Sequence, residues 1–196
     1  MVTLIGKINW TQESPIHDDD KESIQKLLTD NYYIILTRHR NHLSTYAISI
    51  ADFFVTGKFS FWSHALMNLE NDVTTIKDFR LMQAIGTGVE YATFDDVFGD
   101  ADAVVLLQPK GFTPEEWTAV MEKSKIYEGR PYDTLYDITN DNTVSCVELV
   151  RDALKADVDY DTKFADFERL INKANNLTPQ MLYDSVDFEI VYQVRR

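Results

Sequence analysis

A single α+β domain is the fold class this chain predicts, and three observations predict it. Its 196 residues suit one domain with one sizeable core. Hydrophobic residues make up 44% and charged residues 26%, a globular balance that disfavours disorder, a collagen and a disulfide scaffold. Short apolar, β-branched runs alternate with segments that carry helical spacing and helix caps, with no repeat, low-complexity tract or linker between them.

The elements follow in chain order. From Asp18 to Leu28, Ile24, Leu27 and Leu28 recur at helical spacing behind an acidic first turn that suits the positive end of a helix dipole. Tyr32 to Leu36 is an apolar run expected to be a buried strand. Leu43 to Val55 has loose helical spacing, with Ser44 as a cap and Gly57 as the break. Strands are expected over Phe59–Leu69, Phe79–Ala84 and Val89–Tyr91, the last two joined by a turn at Gly86-Thr87-Gly88. Ala103 to Leu107 is another buried strand, stopped by Pro109. Thr113-Pro114-Glu115-Glu116 is a strong helix start: threonine caps, proline takes the first helical position and Glu116 closes a capping box. That helix should run to about Tyr127, before Gly129. A loop over Arg130–Thr143, helices over Ser145–Lys155 and Thr162–Ala174, a helical turn from Thr178-Pro179 and a closing strand over Phe188–Val194 complete the chain.

There are 32 acidic and 19 basic residues, a formal net charge of -13. A chain so acidic lacks the basic face that nucleic acid requires, and an anionic membrane surface is disfavoured for the same reason. Cys146 is the one cysteine, which excludes an internal disulfide and a cysteine-rich zinc site. Met1 to Trp10 shows no secretory pattern, and no window approaches the ~18 apolar residues of a membrane span. A soluble cytoplasmic protein is expected, with a phage-encoded protein or export by another route as alternatives.

Cys146 lies at the first turn of an expected helix, where backbone N–H groups and the helix dipole favour the thiolate. Buried cysteine is also a common small core residue. A cysteine nucleophile needs a base, usually histidine, and a group that orients it. His17 lies in an acidic surface stretch. His39 and His42 flank Arg38 and Arg40 in a polar connection, with a loop role expected and substrate binding open. His64 sits inside the apolar run Phe61-Trp62-Ser63-His64-Ala65, as either a satisfied core residue or a positioned base.

Five segments in order resemble the circularly permuted branch of the NlpC-type papain-fold hydrolases, the YiiX-like proteins, with lecithin-retinol acyltransferase as a more distant relative. They are Asn31-Tyr32-Tyr33-Ile34-Ile35-Leu36-Thr37-Arg38 with Leu43-Ser44, then Phe61-Trp62-Ser63-His64-Ala65, then Leu81-Met82-Gln83-Ala84 with Gly88-Val89, then Ala103 to Leu107, and last Gly129-Arg130-Pro131-Tyr132-Asp133 with Ser145-Cys146-Val147-Glu148-Leu149-Val150. Leu177-Thr178-Pro179 with Phe188 is similar to the family's ending, so the resemblance spans residues 31–191. It implies a papain-like antiparallel sheet packed against helices, one domain over 1–196, and Cys146 as nucleophile with His64 as base. Three departures stand out. Gln83 occupies the place of a family glutamate, so it can orient an imidazole but not stabilise an imidazolium as a carboxylate does. Glu90 is the spare carboxylate. Ser145-Cys146 inverts the family's Cys-Ser order, which makes Ser145 a further candidate, and the opening Gly-Asp is replaced near Asn31-Tyr32. Tyr132 is a candidate pocket residue or a packed aromatic, and Asp133 a holder of its loop.

The resemblance implies a peptidase or amidase that needs no cofactor and acts on a peptide, cell-wall or acyl substrate. Lipid ester or thioester hydrolysis, acyl transfer and a non-catalytic binding module on the same fold are the alternatives. A calcium site is a third class: Asp157, Asp159 and Asp161 alternate, and Glu168 follows at EF-hand spacing. Thr162 replaces the glycine that turn requires, so an acidic connection whose last aspartate caps the next helix is expected instead, and no metal ligand is assigned. Asp18-Asp19-Asp20 is likewise expected to open a helix, and Gly86 with Gly88 to form a turn rather than a phosphate loop.

Overall fold

The computed structural model describes residues 15–39, 60–70, 79–133, 142–174 and 177–196. The expected helix over 43–55 and His42 lie outside these residues, as do Met1 to Trp10. Helix α1 spans Asp18–Asp30, α2 Phe94–Phe98, α3 Pro114–Lys125, α4 Cys146–Leu154, α5 Tyr160–Lys163, α6 Ala165–Ala174 and α7 Pro179–Asp184. The strands are β1 (Ile34–Arg38), β2 (His64–Asn68), β3 (Leu81–Ile85), β4 (Gly88–Ala92), β5 (Ala103–Pro109) and β6 (Phe188–Arg195).

These strands form one sheet in the order β4-β3-β2-β1-β5-β6, with every neighbouring pair antiparallel. The α+β expectation holds. The four central strands read as near-continuous apolar runs because both faces of the sheet are covered. Alternation along each strand divides their side chains between two clusters. Ile34, Leu36, Ala65, Met67, Val105 and Leu107 pack with residues of α3, α4 and α6. Ile35, Leu66, Leu81, Val104 and Leu106 pack with Ile24 and Leu28 of α1 and with Val97 and Phe98 of α2.

Several boundaries differ from expectation. The run Ser60–Ser63 is not strand: Trp62 is fully buried against Tyr183 of α7, with ring centroids 5.6 Å apart, and the Phe61 amide donates to Gln180 at 3.0 Å. These contacts to a distant helix take residues 61 and 62 off the ladder. β5 includes Pro109 rather than stopping before it, and Pro109 pairs with Phe188 of β6. Helix α2 was not expected; Thr93 and Asp96 cap it reciprocally. The single helix expected over Thr162–Ala174 is two, and its first starts behind Asp159 rather than behind Asp161.

Candidate active site

Helix α4 packs across β2 and β3. Its start is built by Ser145 and Glu148. The Ser145 Oγ accepts the Glu148 amide at 3.3 Å, and the Glu148 carboxylate accepts the Ser145 amide at 2.7 Å. This is a capping box, and it places Cys146 at the first helical position. Ser145 is therefore committed to holding the helix end. The same Ser-x-x-Glu spacing is visible in the sequence and would have found Glu148.

The Cys146 thiol is almost completely buried. Burial pushes it up to about 11, although the backbone N–H groups of Ala65, Val147 and Cys146 itself face the sulfur and pull the other way. The helix start alone predicts a thiolate; desolvation outweighs it, and the resting group is a thiol. The Ala65 contact is the informative one, because Ala65 directly follows His64.

His64 opens β2. Its Nε2 lies 2.9 Å from Oε1 of Gln83 on β3, so Nε2–H donates to the amide oxygen and Nδ1 is left as the basic nitrogen. Burial lowers its affinity for a proton to about 4, opposed by the Gln83 hydrogen bond and reinforced by His39. Imidazole and thiol are therefore both neutral near neutrality, not an ion pair. Gln83 pairs with Leu66 across the ladder and shares its face, whereas Ala65 packs in the cluster that holds Cys146. The imidazole and the thiol thus belong to opposite faces of β2. β2–β3 pairing runs only from Leu66–Gln83 to Asn68–Leu81, leaving His64 and Ala65 beyond it on that side, while both still pair with β1.

Glu90 lies directly opposite Gln83 on β4, but its carboxylate accepts from Thr87 Oγ1 at 2.8 Å. Gln83, not Glu90, is the group on His64. Tyr132 sits on the segment that follows Gly129 and bridges to Val144, just before Ser145. That segment lies against β4: Val89 donates to Arg130 at 2.9 Å and Gly129 donates back to Val89 at 2.9 Å. Tyr132 is partly buried against the α4-side cluster, and the Asp133 amide donates to Val144 at 3.2 Å. His17 precedes α1, its amide donating to Asp20, and Asp18 to Asp20 form the acidic first turn as expected.

Two of the acidic residues of the calcium pattern, Asp157 and Glu168, are engaged within the chain. Asp157 pairs with Lys163 at 2.9 Å and accepts the Asp159 amide, while Glu168 takes both Arg151 nitrogens at 2.7 and 2.8 Å together with the Tyr160 hydroxyl. Lys163 also pairs with Glu116. Among the described residues no three His, Cys, Asp or Glu side chains gather as a metal site, and no helix is long and apolar enough to cross a membrane.

No family model and no curated protein matches the chain. Among solved structures, the crystal structure of metalloprotein yiiX from Escherichia coli O157:H7 (DUF1105) matches with a TM-score of 0.58 and 19% identity, covering 84% of this chain and 97% of that one. The chain therefore has a YiiX-like fold.

Proposed function

We propose that this chain is a cysteine hydrolase of the peptidase or amidase type, with Cys146 as nucleophile, His64 as base and Gln83 as the group that orients it. One observation carries the reading. The imidazole is locked by Gln83 with Nδ1 as its basic nitrogen, one residue before the backbone N–H against which the lone thiol rests.

The reaction begins from a neutral pair. As sulfur bonds to the acyl carbon of a peptide or amide, its proton passes to Nδ1 of His64, and the backbone N–H of Cys146 faces the developing oxyanion. The proton then goes to the departing amine as the carbon–nitrogen bond breaks, leaving a thioester. Water attacks the thioester, gives its proton to Nδ1, and that proton returns to the sulfur as the acid is released. Gln83 keeps Nε2 protonated throughout and so fixes the tautomer. Lacking a carboxylate, it leaves the transient imidazolium less stabilised, which predicts a slow enzyme. A cell-wall peptide, a lipid ester or a thioester would use the same steps.

The neighbour of similar fold is named a metalloprotein, but among the described residues the histidine donors do not fit a metal. His64 Nε2 is bonded to Gln83, and both ring nitrogens of His39 are engaged by Thr37 and Asp100.

A binding module on the same fold is the second reading. The buried, protonated thiol and the placement of thiol and imidazole on opposite faces of β2 favour it. The experiment compares wild type with Cys146→Ala on a panel of p-nitroanilide peptides and p-nitrophenyl esters. Turnover lost with Cys146→Ala supports the hydrolase; equal residual rates overturn it and leave the binding module.

A further inference from the structure

The end of the sheet where β2 begins also gathers two arginines on one aromatic ring. Arg38 closes β1 and stands opposite Ala103 of β5, which in turn stands opposite Arg195 of β6. Directly paired residues share a face, so Arg38, Ala103 and Arg195 lie on the face of Leu36 and Ala65, the one that α4 and Cys146 cover. The guanidinium carbons of Arg38 and Arg195 each lie 4.4 Å from the centre of the Phe61 ring, and those of Trp62 and Tyr183 are each 5.3 Å from Arg195. Phe61 is half-buried and Arg195 exposed, so the cluster opens to solvent. Its charge is one-sided. Turned so that its nitrogen donates to the Tyr183 hydroxyl at 3.2 Å, the Gln193 carboxamide gives its oxygen to Arg195 at 2.8 Å, which holds the side chain without neutralising it. No carboxylate among the described residues pairs with Arg195, whereas Arg196 beside it pairs with Asp20. The buried Trp62 indole N–H is a further donor without an acceptor among the described residues. Two cations drawn to one ring repel each other even in a chain of net charge -13, and an anion held against both offsets that repulsion.

From this cluster we propose that Arg195 and Arg38 form a carboxylate-recognition site, and that the substrates of the proposed hydrolase are short peptides or acyl amides bearing a free carboxylate. The inference rests on the hydrolase reading for its purpose, but not for the binding itself. A guanidinium offers paired N–H donors that match a carboxylate, and one already stacked on an aromatic ring has less freedom to lose on binding. The cluster lies on the side of the thiol. Arg38 is two residues, about 7 Å along the strand, beyond Leu36, and Leu36 pairs with Ala65, whose amide faces the Cys146 sulfur. About two residues of extended substrate cover that span, so a carboxylate held by the arginines sets the acyl carbon about two residues away beside the sulfur. Local sequence gives no hint of this, because Arg38, Phe61 and Arg195 belong to the end of β1, the run before β2 and the last strand.

The test is calorimetry on the full chain carrying Cys146→Ala, with succinyl-Ala-p-nitroanilide compared with its methyl ester, which has the same backbone and no charge. kcat/KM of the chain with Cys146 intact is read on the same pair. The free acid should bind about 10- to 100-fold more tightly than the ester, the range expected for charge-assisted hydrogen bonds. Arg195→Gln and Arg38→Gln should each cut that ratio by about 10-fold or bring it close to one. Arg195→Lys, which keeps the charge but not the planar fork, should retain part of the ratio, and it is the variant to read if the glutamine variants fail to fold. No preference for the acid at millimolar ligand, or a preference undiminished in either glutamine variant, overturns the proposal. The binding measurement needs no turnover. If the acid is preferred while Cys146→Ala leaves turnover unchanged, the hydrolase reading fails and the carboxylate site stands. If turnover requires Cys146 but acid and ester bind and react alike, the carboxylate site fails and the hydrolase reading stands.

Discussion

Burial of a neutral imidazole makes stability depend on acid in a way one substitution isolates. His64 binds a proton at 6.5 when unfolded and at about 4 in the folded chain, chiefly because burial penalises its charged form. A histidine with a depressed folded value contributes stability that is complete above the unfolded value and is lost as pH falls toward the folded one. Between about pH 7.5 and about pH 5.0 the unfolded chain gains nearly one proton at this site and the folded chain almost none, a loss of about 2 kcal/mol. Below about pH 4 the loss levels off near 3 kcal/mol in total. His64→Gln removes the titration. Urea unfolding of both chains across this range should show wild type losing stability faster by about 2 kcal/mol, with most of the divergence below about pH 6.5. The comparison cancels the acidic residues common to both. Parallel stability curves would refute the premise that His64 is half-buried and neutral, and with it the base assigned to the site.

Two further outcomes follow from the geometry. Gly88 has φ +118°, and a Cβ there would sit 2.6 Å from the Arg130 carbonyl, so Gly88→Ala should cost about 2 kcal/mol or more in chemical denaturation and loosen the Tyr132 segment, read as faster proteolysis near Arg130. Glu148→Ala should cost about 1 kcal/mol in urea unfolding by removing half of the α4 capping box, whereas Glu148→Gln, which still accepts from Ser145, should cost less.

What the residues disclose depends on how far away their partners lie. Helix α3 is legible because Thr113, Pro114 and Glu116 satisfy its first turn among themselves. The caps Thr93–Asp96 and Ser145–Glu148 obey the same local rule. The strand positions are legible because the sheet is covered on both faces. The start of β2 is not, since its boundary is set by Gln180 and Tyr183 far along the chain. The acidic run after α4 displays ligand spacing, yet Lys163 and Arg151 claim Asp157 and Glu168. The residue types at 64, 83 and 146 are those of the thiol–imidazole chemistry proposed above. Their protonation is a property of burial, which a helix start cannot report. Gln83 rather than Glu90 reaches the ring because Glu90 is occupied by Thr87.

The order of the sheet also bears on how the molecule is made. β1 to β4 are laid side by side in chain order, so a ribosome releasing the polypeptide has already delivered both halves of the His64–Gln83 contact while Cys146 is still to be synthesised. β5 must then return to the far flank of β1 before α4 emerges to close over β2. A nascent chain stalled before that point holds His64 and Gln83 but no thiol, so under the proposed mechanism it lacks the nucleophile.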